Sequence, residues 1–246
     1  MKILLLDIET YPNLVHCWGL WDQNVSINQI ITPGYTLCYA AKWYGETGWF
    51  FDSVNNSTTK KMLKGLHALL EEADAVIHYN GDRFDIPTIN KDFLLLGYTP
   101  PSPAKQMDLL KTVKLKFKFP SNKLDYVSQA LGVGKKAKHE GHELWIKCGQ
   151  GDKTAWKTME EYNVQDVLLL EKLYEKLIPW VKNHANYSLF NTGQLVCPHC
   201  GGNHYQKRGS YHTATSVFQR YRCVDCGTWF RDNKKLNSKA YKTQEL

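Results

Sequence analysis

Ile3-Leu4-Leu5-Leu6-Asp7-Ile8-Glu9 stands near the start of the chain and predicts a buried strand that ends in two acids. Side chains alternate along a strand, so Asp7 and Glu9 project from the same face. Two adjacent carboxylates repel each other unless a cation joins them. The alternative is a strand end that emerges into solvent, and this pair alone does not decide between the two.

Outward from this strand, the pattern of apolar residues and turn signals predicts more strands, with helices woven in afterwards. Such an order predicts a mixed α/β domain. Further strands are predicted at Val15–Trp21, Thr36–Trp43, Ala75–His78 and Asp108–Leu110. Helices are predicted at Thr59–Ala73, at Ile86–Leu96, after a Ser121 cap with Leu124, Val127 and Leu131, and at Ala155–Leu177, while Val133–Lys147 is predicted as a loop.

Two further segments carry an acid close to an aromatic residue. In Asn80-x-x-x-Phe84-Asp85, the acid follows the predicted strand at 75–78, although Asp85 could instead cap the next helix. In Tyr162-x-x-x-Asp166, the phenol and the carboxylate stand one turn apart on the long helix and share a face. Each segment alone is weak evidence, because such pairs are common on protein surfaces.

Together, the three acidic segments resemble the ordered motifs of the DEDD exonuclease superfamily, and tyrosine at position 162 makes the chain similar to the tyrosine subclass, DEDDy. The resemblance covers roughly residues 1–180 and is nearest to the proofreading domains of family-B DNA polymerases. It implies a ribonuclease H-like fold, a mixed sheet flanked by helices, and 3′–5′ exonuclease activity. No segment resembles a polymerase domain, and the rest of the chain is too short to hold one.

The clustered acids also predict the cofactor. Four converging carboxylates would repel one another unless divalent cations neutralised them, and hard oxygen ligands suit Mg²⁺ or Mn²⁺. The resemblance implies two ions about 3.5–4 Å apart, with Asp7 bridging both. Glu9 and Asp166 would complete the ion on the nucleophile's side, and Asp85 would support the other. Tyr162 would orient the attacking water, since a pKa near ~10 makes phenol a poor base at neutral pH.

Several residues near these motifs have other expected roles. Asn80 and Phe84 are expected to contact the terminal nucleotide, although Phe84 could equally belong to the core. Asp108 and Asp125 carry no motif and are expected to be structural or solvated. His139 and His142, three residues apart, could bind a metal. Their loop also contains Lys135, Lys136 and Lys138, so it is interpreted as solvated or phosphate-contacting.

The cysteines predict a second metal site near the end of the chain. Two C-x2-C pairs, each followed by glycine, are separated by 22 residues, a spacing typical of zinc knuckles. Four cysteines complete a structural site, so one Zn²⁺ is expected without a histidine ligand. The predicted ligands are Cys197, Cys200, Cys223 and Cys226.

The stretch around the second cysteine pair resembles the zinc ribbons attached to transposases and similar DNA-handling proteins. Its interleaved basic and aromatic residues are expected to bind nucleic acid through Arg220, Arg222 and Trp229, although the aromatic rings could instead form the ribbon's own small core. Residues 194–246 hold nine Lys/Arg and three Asp/Glu, so +6 of the chain's formal net charge of +7 lies there, which suggests a polyanionic partner.

Composition and patterning define the expected organisation. Apolar residues make up 43% of the chain and charged residues 22%, which is typical of a folded protein. The expected parts are an exonuclease domain at 1–182, a linker at 183–193, a four-cysteine zinc ribbon at 194–234 and a basic tail at 235–246. Acids at positions 7 and 9 come too early for a signal peptide, and no apolar stretch approaches ~18 residues, so a cytoplasmic or host-cell location without a membrane partner is expected.

The sequence therefore predicts a metal-dependent 3′–5′ exonuclease that acts on single-stranded 3′ ends, with DNA favoured as substrate. The alternatives are an RNA exonuclease, a structure-specific nuclease, or a non-catalytic nucleic-acid-binding protein, and the ribbon could bind a protein partner. Two-metal chemistry at phosphorus is indifferent to the sugar unless a contact reads the 2′-OH, so the motifs do not separate DNA from RNA.

Overall fold

The computed structural model describes residues 1–191 and 193–237. Most of the predicted basic tail, residues 238–246, lies outside this range. In chain order the strands are β1 (Ile3–Thr10), β2 (Leu14–Val15), β3 (Ile30–Thr32), β4 (Thr36–Trp43), β5 (Phe50–Ser53), β6 (Ala75–His78), β7 (Lys105–Asp108), β8 (Tyr205–His212), β9 (Val217–Cys223) and β10 (Trp229–Lys235). The helices are α1 (Thr59–Glu72), α2 (Asp85–Leu95), α3 (Leu109–Lys116), α4 (Leu124–Ala130), α5 (Glu143–Gly149) and α6 (Lys153–Leu177), with 3-10 turns at Ile27–Gln29, Ile178–Trp180 and Tyr187–Leu189.

The acid-bearing strand β1 is the central strand of a five-stranded mixed sheet with the order β5-β4-β1-β6-β7. It pairs antiparallel with β4 on one side and parallel with β6 on the other, and β7 continues the parallel half. The apolar run at its start explains this position, because Leu4, Leu5 and Leu6 are fully buried.

Helices cover both faces of this sheet. Leu4, Leu6 and Ile8 pack against the apolar stripes of α1 and α2, while Asp7 and Glu9 face the opposite side, where α5 and α6 lie. The arrangement confirms the predicted mixed α/β class, and it places both acids under α6.

The described residues form two compact units, Lys2–Leu173 and the described residues from Tyr174 onward together with Met1. The second unit contains an antiparallel sheet with the order β10-β9-β8. Its small core is formed by Cys197, Tyr221, Cys223 and Phe230. Among the described residues, no helix is both long enough and apolar enough to span a membrane.

A column of aromatic rings links the end of α6 to the first cysteine pair inside the second unit. Tyr174 is fully buried, and its hydroxyl lies 2.6 Å from Nε2 of His184. The His184 ring stacks on His199, which lies between Cys197 and Cys200, with ring centroids 4.5 Å apart. His199 also makes a 2.9 Å hydrogen bond with the carbonyl of Ile178. Part of the predicted linker is therefore packed between the end of α6 and the first cysteine pair.

Three local predictions were wrong. Of the predicted strand at Val15–Trp21, only Val15 lies in a strand, the two-residue β2, and Trp18 is completely exposed; within the described part of the chain, β2 pairs only with the short β3. The predicted loop at Val133–Lys147 contains most of α5. The predicted strand at Asp108–Leu110 was placed too late: strand β7 ends at Asp108, which caps α3 by accepting a 2.9 Å hydrogen bond from the amide of Leu110.

Two smaller features also differ from expectation. Helix α4 begins after Lys123, and Ser121 accepts a hydrogen bond from the Lys123 amide instead of capping the helix itself. The edge strand β5 was not predicted, since its four residues show too little alternation to reveal a strand.

A buried ion pair fastens α6 to the sheet. The Lys42 ammonium on β4 lies 2.7 Å from the Glu171 carboxylate on α6, and the two side chains are only 6% and 16% exposed. The amide of Gly45 donates to the same carboxylate oxygen. Because α6 carries the third acid, this pair helps to fix the distance between that acid and β1.

We expect Glu171→Ala to lower the free energy of unfolding by about 3 kcal/mol, because it leaves the Lys42 ammonium buried without its counterion. Urea denaturation followed by circular dichroism measures this change. Glu72→Ala is the matched control, since its ion pair with Lys2 is more than half exposed and should contribute less than about 1 kcal/mol. Equal losses in the two variants would contradict the anchoring role.

Candidate acidic site and four-cysteine site

Strand β1 presents the first two acids on the face beneath α6. The residues opposite them on β4 are small: Ala40 pairs with Asp7 and Cys38 pairs with Glu9. Small neighbours on the same face leave space above the carboxylates. The register shifts directly after Glu9, so the regular ladder ends where the acids lie.

Helix α6 brings the third acid to the first two. Ligand oxygens of Asp7, Glu9 and Asp166 all lie within 4.8 Å of one another. Asp166 is 1% exposed, and among the described residues its Oδ1 atom is buried without a hydrogen-bond partner. A buried carboxylate oxygen with no partner is costly, and it is the kind of ligand that a hard divalent cation takes. The three acids therefore fit Mg²⁺ or Mn²⁺.

Burial and mutual repulsion both disfavour the charged forms of these acids. Burial, followed by the charges of Asp85, Glu9 and Asp166, holds the pKa of Asp7 well above its usual value. Burial raises the pKa of Glu9 to about 7, against a hydrogen bond from Trp145 that lowers it. Burial also raises the pKa of Asp166, and the Lys136 ammonium offsets part of that rise. The site gains stability from any positive charge placed among them.

The fourth predicted acid lies beside the other three without joining their cluster. Asp85 is the first residue of α2 and is 3% exposed; its Oδ1 accepts a 3.1 Å hydrogen bond from the amide of Ile8 on β1. Its side chain therefore reaches across to the strand, where it links α2 to the residue between Asp7 and Glu9. Burial raises the pKa of Asp85 to about 6.

Tyr162 and Lys136 complete the polar centre of the site. The Lys136 ammonium donates to the Tyr162 hydroxyl at 2.9 Å and to Oδ2 of Asp166 at 2.5 Å. Burial raises the pKa of Tyr162 further above its usual value, so the phenol stays protonated at neutral pH. Burial lowers the pKa of Lys136, but the charges of Asp166 and Tyr162 and the hydrogen bonds to both together outweigh it and raise the pKa overall. The sequence alone does not indicate which of Lys135, Lys136 and Lys138 contacts the acids.

Three other side chains that were not predicted contact the acids or Tyr162. Asn163 is fully buried and donates to Oδ2 of Asp7 at 2.7 Å, and the Trp145 indole donates to Glu9 at 3.0 Å. The His139 ring lies edge-on against the rings of Tyr162 and Trp145, with centroids 4.7 and 5.1 Å away. These residues orient the acids and the phenol.

The turn after β6 places the predicted nucleotide contacts. Asn80 has a left-handed backbone with φ 74°, and its amide donates to Asp108 at 2.9 Å. Gly81 is required because a Cβ there would lie 2.3 Å from the His78 ring. Phe84 is 43% exposed, so the structure places it at the surface instead of in the core.

His78 lies in a second cluster, with Asp82 and Asp108, that supports the turn after β6. Its Nδ1 accepts a 3.0 Å hydrogen bond from the Gly81 amide, and its Nε2 lies 3.2 Å from the side-chain oxygen of Gln106. Both ring nitrogens are therefore engaged. Asp108, expected to be structural, is buried and holds the turn and α3; Asp125, also expected to be structural or solvated, accepts a 2.9 Å hydrogen bond from the amide of Lys136.

The four predicted cysteines lie together in the second unit. Their sulfur atoms are all within 4.8 Å of one another, with 3.6 Å between Cys197 and Cys226 and between Cys200 and Cys223. This spacing is too long for disulfides and close to the ~3.8 Å sulfur separation of a tetrahedral Zn²⁺ site with Zn–S bonds of ~2.3 Å. The donor set fits a structural zinc ion. The three remaining predicted residues, Arg220, Arg222 and Trp229, lie on exposed positions of β9 and β10.

Comparison with known proteins identifies the first unit. Residues 4–178 match the model of the RNase H superfamily, so the chain belongs to this superfamily. Its members generally use divalent metals, and membership supports nuclease activity in general. The predicted ribonuclease H-like fold is confirmed.

Among solved structures, the family B DNA polymerase from the hyperthermophilic archaeon Pyrobaculum calidifontis is similar over 72% of this chain, with a TM-score of 0.58 and 19% identity. The chain spans only 24% of that polymerase's length. No curated protein sequence matches the chain.

We expect Lys136→Met to lower the melting temperature by about 4–8 °C when no divalent cation is present, because it removes the only positive side chain that contacts Asp166 among the described residues. Adding Mn²⁺ should recover most of this loss. Thermal unfolding with and without Mn²⁺ measures both effects. Lys135→Met is the control and should behave like the native chain; an equal loss in the two variants would show that Lys136 does not compensate the acids.

The purified chain should contain about one equivalent of zinc, and Cys223→Ser should remove most of it, because three thiolates bind Zn²⁺ much less tightly than four. Metal analysis after gel filtration measures the content. Cys17→Ser removes an exposed cysteine outside the cluster and should leave the zinc content unchanged. Full zinc occupancy in Cys223→Ser would contradict the four-cysteine site.

Proposed function

We propose that this chain is a DEDDy-type 3′–5′ exonuclease that hydrolyses phosphodiester bonds at single-stranded 3′ ends, with DNA as the preferred substrate. The observation that carries the proposal is the buried, unpartnered oxygen of Asp166 beside Asp7 and Glu9, with Tyr162 one helical turn away. Membership in the RNase H superfamily and the similarity to a family B DNA polymerase support it.

The proposed metal ligands are Asp7, Glu9, Asp166 and Asp85. Two Mg²⁺ or Mn²⁺ ions bound to them would supply an acidified water and charge stabilisation at the phosphorus. The three clustered acids would be the main ligands. Asp85 would contribute from the side of α2, where its second role is to hold the strand segment between Asp7 and Glu9.

Tyr162 would act by hydrogen bonding and not as a base. Its pKa is raised, so at neutral pH the phenol keeps its proton and can donate it in a hydrogen bond to the attacking water or to a phosphate oxygen. Lys136 donates to the phenol oxygen and so fixes the direction in which that proton points. Tyr162→Phe would then misplace the water without removing the metal ligands.

The nucleotide would be held beside the acids by residues of the turn after β6. Phe84 exposes enough of its ring to stack on a terminal base, and Asn80 stands at the start of the same turn. These contacts tolerate any base, as a degradative exonuclease requires. In the proposed division of the chain, residues 1–182 perform hydrolysis, and the zinc ribbon at 194–234 follows a linker at 183–193.

A purely binding role is disfavoured by the energetics of the acids. Burying several carboxylates that repel one another lowers stability, and a protein that only bound nucleic acid would gain nothing from it. The same arrangement is useful where metal ions are bound and used.

Digestion of 5′-labelled single-stranded DNA and RNA with Mg²⁺ or Mn²⁺ tests the proposal. We expect a ladder that shortens from the 3′ end, lost by at least about 100-fold in Asp7→Ala and in Asp166→Ala, because each removes a metal ligand. Tyr162→Phe should lower kcat more than it raises KM. Glu160→Gln, which removes an exposed acid from the same helix, should cleave like the native chain.

The rates on DNA and RNA, and the lengths of the products, decide between the alternatives. Faster loss of RNA would make the chain an RNA exonuclease, and internal fragments would indicate a structure-specific nuclease. No cleavage with either metal, together with undiminished binding, would reject the proposed activity in favour of a binding protein.

A further inference from the structure

The outer face of the ribbon sheet gathers positive charge, and no acid among the residues that the structure describes forms an ion pair with it. Strand alternation places Phe218, Arg220 and Arg222 of β9 on the same side, and the register puts Trp229 opposite Arg222 and Arg231 opposite Arg220. Tyr211 of β8 lies opposite Phe218 and joins this side. These six residues are called the arginine–aromatic face below.

The aromatic rings of this face hold the guanidinium groups in place. The Arg220 and Arg222 guanidinium carbons lie 5.1 and 6.0 Å from the centre of the Trp229 ring. Arg231 lies 3.8 Å from the Phe218 ring and 5.5 Å from the Tyr211 ring. Stacking on a ring leaves the N–H edges of arginine free to donate to a phosphate.

The acids of the ribbon do not compensate these arginines. Asp232 accepts from the Tyr221 hydroxyl on the other side of the sheet, and Asp225 lies 3.1 Å from a ring nitrogen of His204. Among the described residues, no acid forms an ion pair with an arginine of this face. Arg220 donates to the carbonyl of Arg208, and Arg231 donates to the carbonyl of Asp232.

The charge pattern is unfavourable in the absence of a polyanion. Arg220 and Arg231 are direct cross-strand neighbours, and like charges in that position destabilise a sheet. Phosphates bound to these arginines would offset the repulsion through charge-assisted hydrogen bonds. The core explanation does not apply to Trp229 and Tyr211, which are 54% and 46% exposed, whereas the ribbon core is built from Tyr221 and Phe230 on the other side. Phe218 is buried, with the Arg231 guanidinium against its ring.

We propose that the arginine–aromatic face binds single-stranded nucleic acid, with Arg220, Arg222 and Arg231 on consecutive phosphates and with Trp229 and Tyr211 stacking on unpaired bases. A duplex hides its bases from such rings, so the exposed aromatic residues favour a single strand. This inference deepens the proposed exonuclease function, since it names a second holding site for the same class of substrate. It assigns contacts to Arg231 and Tyr211 beside Arg220, Arg222 and Trp229, with Phe218 holding the Arg231 guanidinium.

Fluorescence anisotropy with the full chain tests the proposal, using a 5′-labelled 20-nucleotide oligo(dT), its RNA equivalent and a 20-base-pair duplex at several NaCl concentrations. Added divalent cations and chelators are both omitted, so that the strands stay intact and the zinc stays bound. Arg222→Gln and Arg231→Gln should each weaken single-strand binding roughly fivefold and reduce the slope of log K against log salt by about 0.7, the value for one lost phosphate contact.

Trp229→Leu should weaken single-strand binding by about tenfold and leave the salt slope nearly unchanged, because it removes stacking and no charge. Lys207→Gln is the matched control: it removes one charge from the opposite side of the same sheet, where Lys207 pairs with Tyr221, and should change affinity less than twofold. Unchanged zinc content verifies that each variant has folded. The DNA and RNA arms show which sugar the face prefers.

Equal losses in Lys207→Gln and the arginine variants would overturn the proposal, since binding would then follow only total charge. Tighter binding of the duplex, unaffected by Trp229→Leu, would overturn the preference for a single strand. Native affinity in all the variants would overturn the proposal, since this face would then make no contact with the strand.

The digestion assay on the same preparations separates this inference from the exonuclease proposal. A 3′-shortening ladder together with native binding by the ribbon variants would reject only the binding face. If the ribbon variants lose binding and the native chain cleaves nothing, only the exonuclease proposal is rejected.

Discussion

Repulsion among buried carboxylates is the interaction around which the first unit is organised. Two unit charges ~5 Å apart at an effective dielectric constant of ~20 repel by about 3 kcal/mol, which is a large fraction of the stability of a single domain. The surrounding residues reduce this cost. Lys136 contacts Asp166, Asn163 donates to Asp7, and Trp145 donates to Glu9. A fold that keeps the acids close together must hold them rigidly, and β1 does so as the central strand of the sheet, with α6 fastened to that sheet through Glu171.

The second unit shows the same principle with the opposite sign. Its sheet brings arginines next to one another, and stacking on Trp229 and Phe218 keeps their guanidinium groups ordered. Each unit therefore holds a local cluster of like charges in a fixed geometry. The acids suit small cations, and the arginines suit an anionic ligand.

Much of the fold could be predicted because its main elements have strong periodic patterns. The bounds of β4 and β6 match the prediction, and the stripe of α1 is buried as expected. The acids and cysteines were found from their spacing along the chain. Lys136, Trp145 and Asn163 were not found, because their roles depend on contacts between distant positions: Trp145 and Glu9 are 136 residues apart in the sequence. Helix α5 was missed for a related reason, since seven residues are too few to establish a helical period.

The column of rings at the end of α6 limits how the two parts of this chain could have been combined. A four-cysteine segment from another protein, joined at Gly193, would need a histidine between its first two cysteines, placed so that its ring stacks on His184. A join placed earlier, after Leu177, would separate Tyr174 from its histidine partner. Recombination that preserves this packing must therefore exchange the last turn of α6, the intervening segment and the ribbon as one cassette, so insertions or deletions between Tyr174 and His199 should be rarer among natural variants than in the β8–β9 turn.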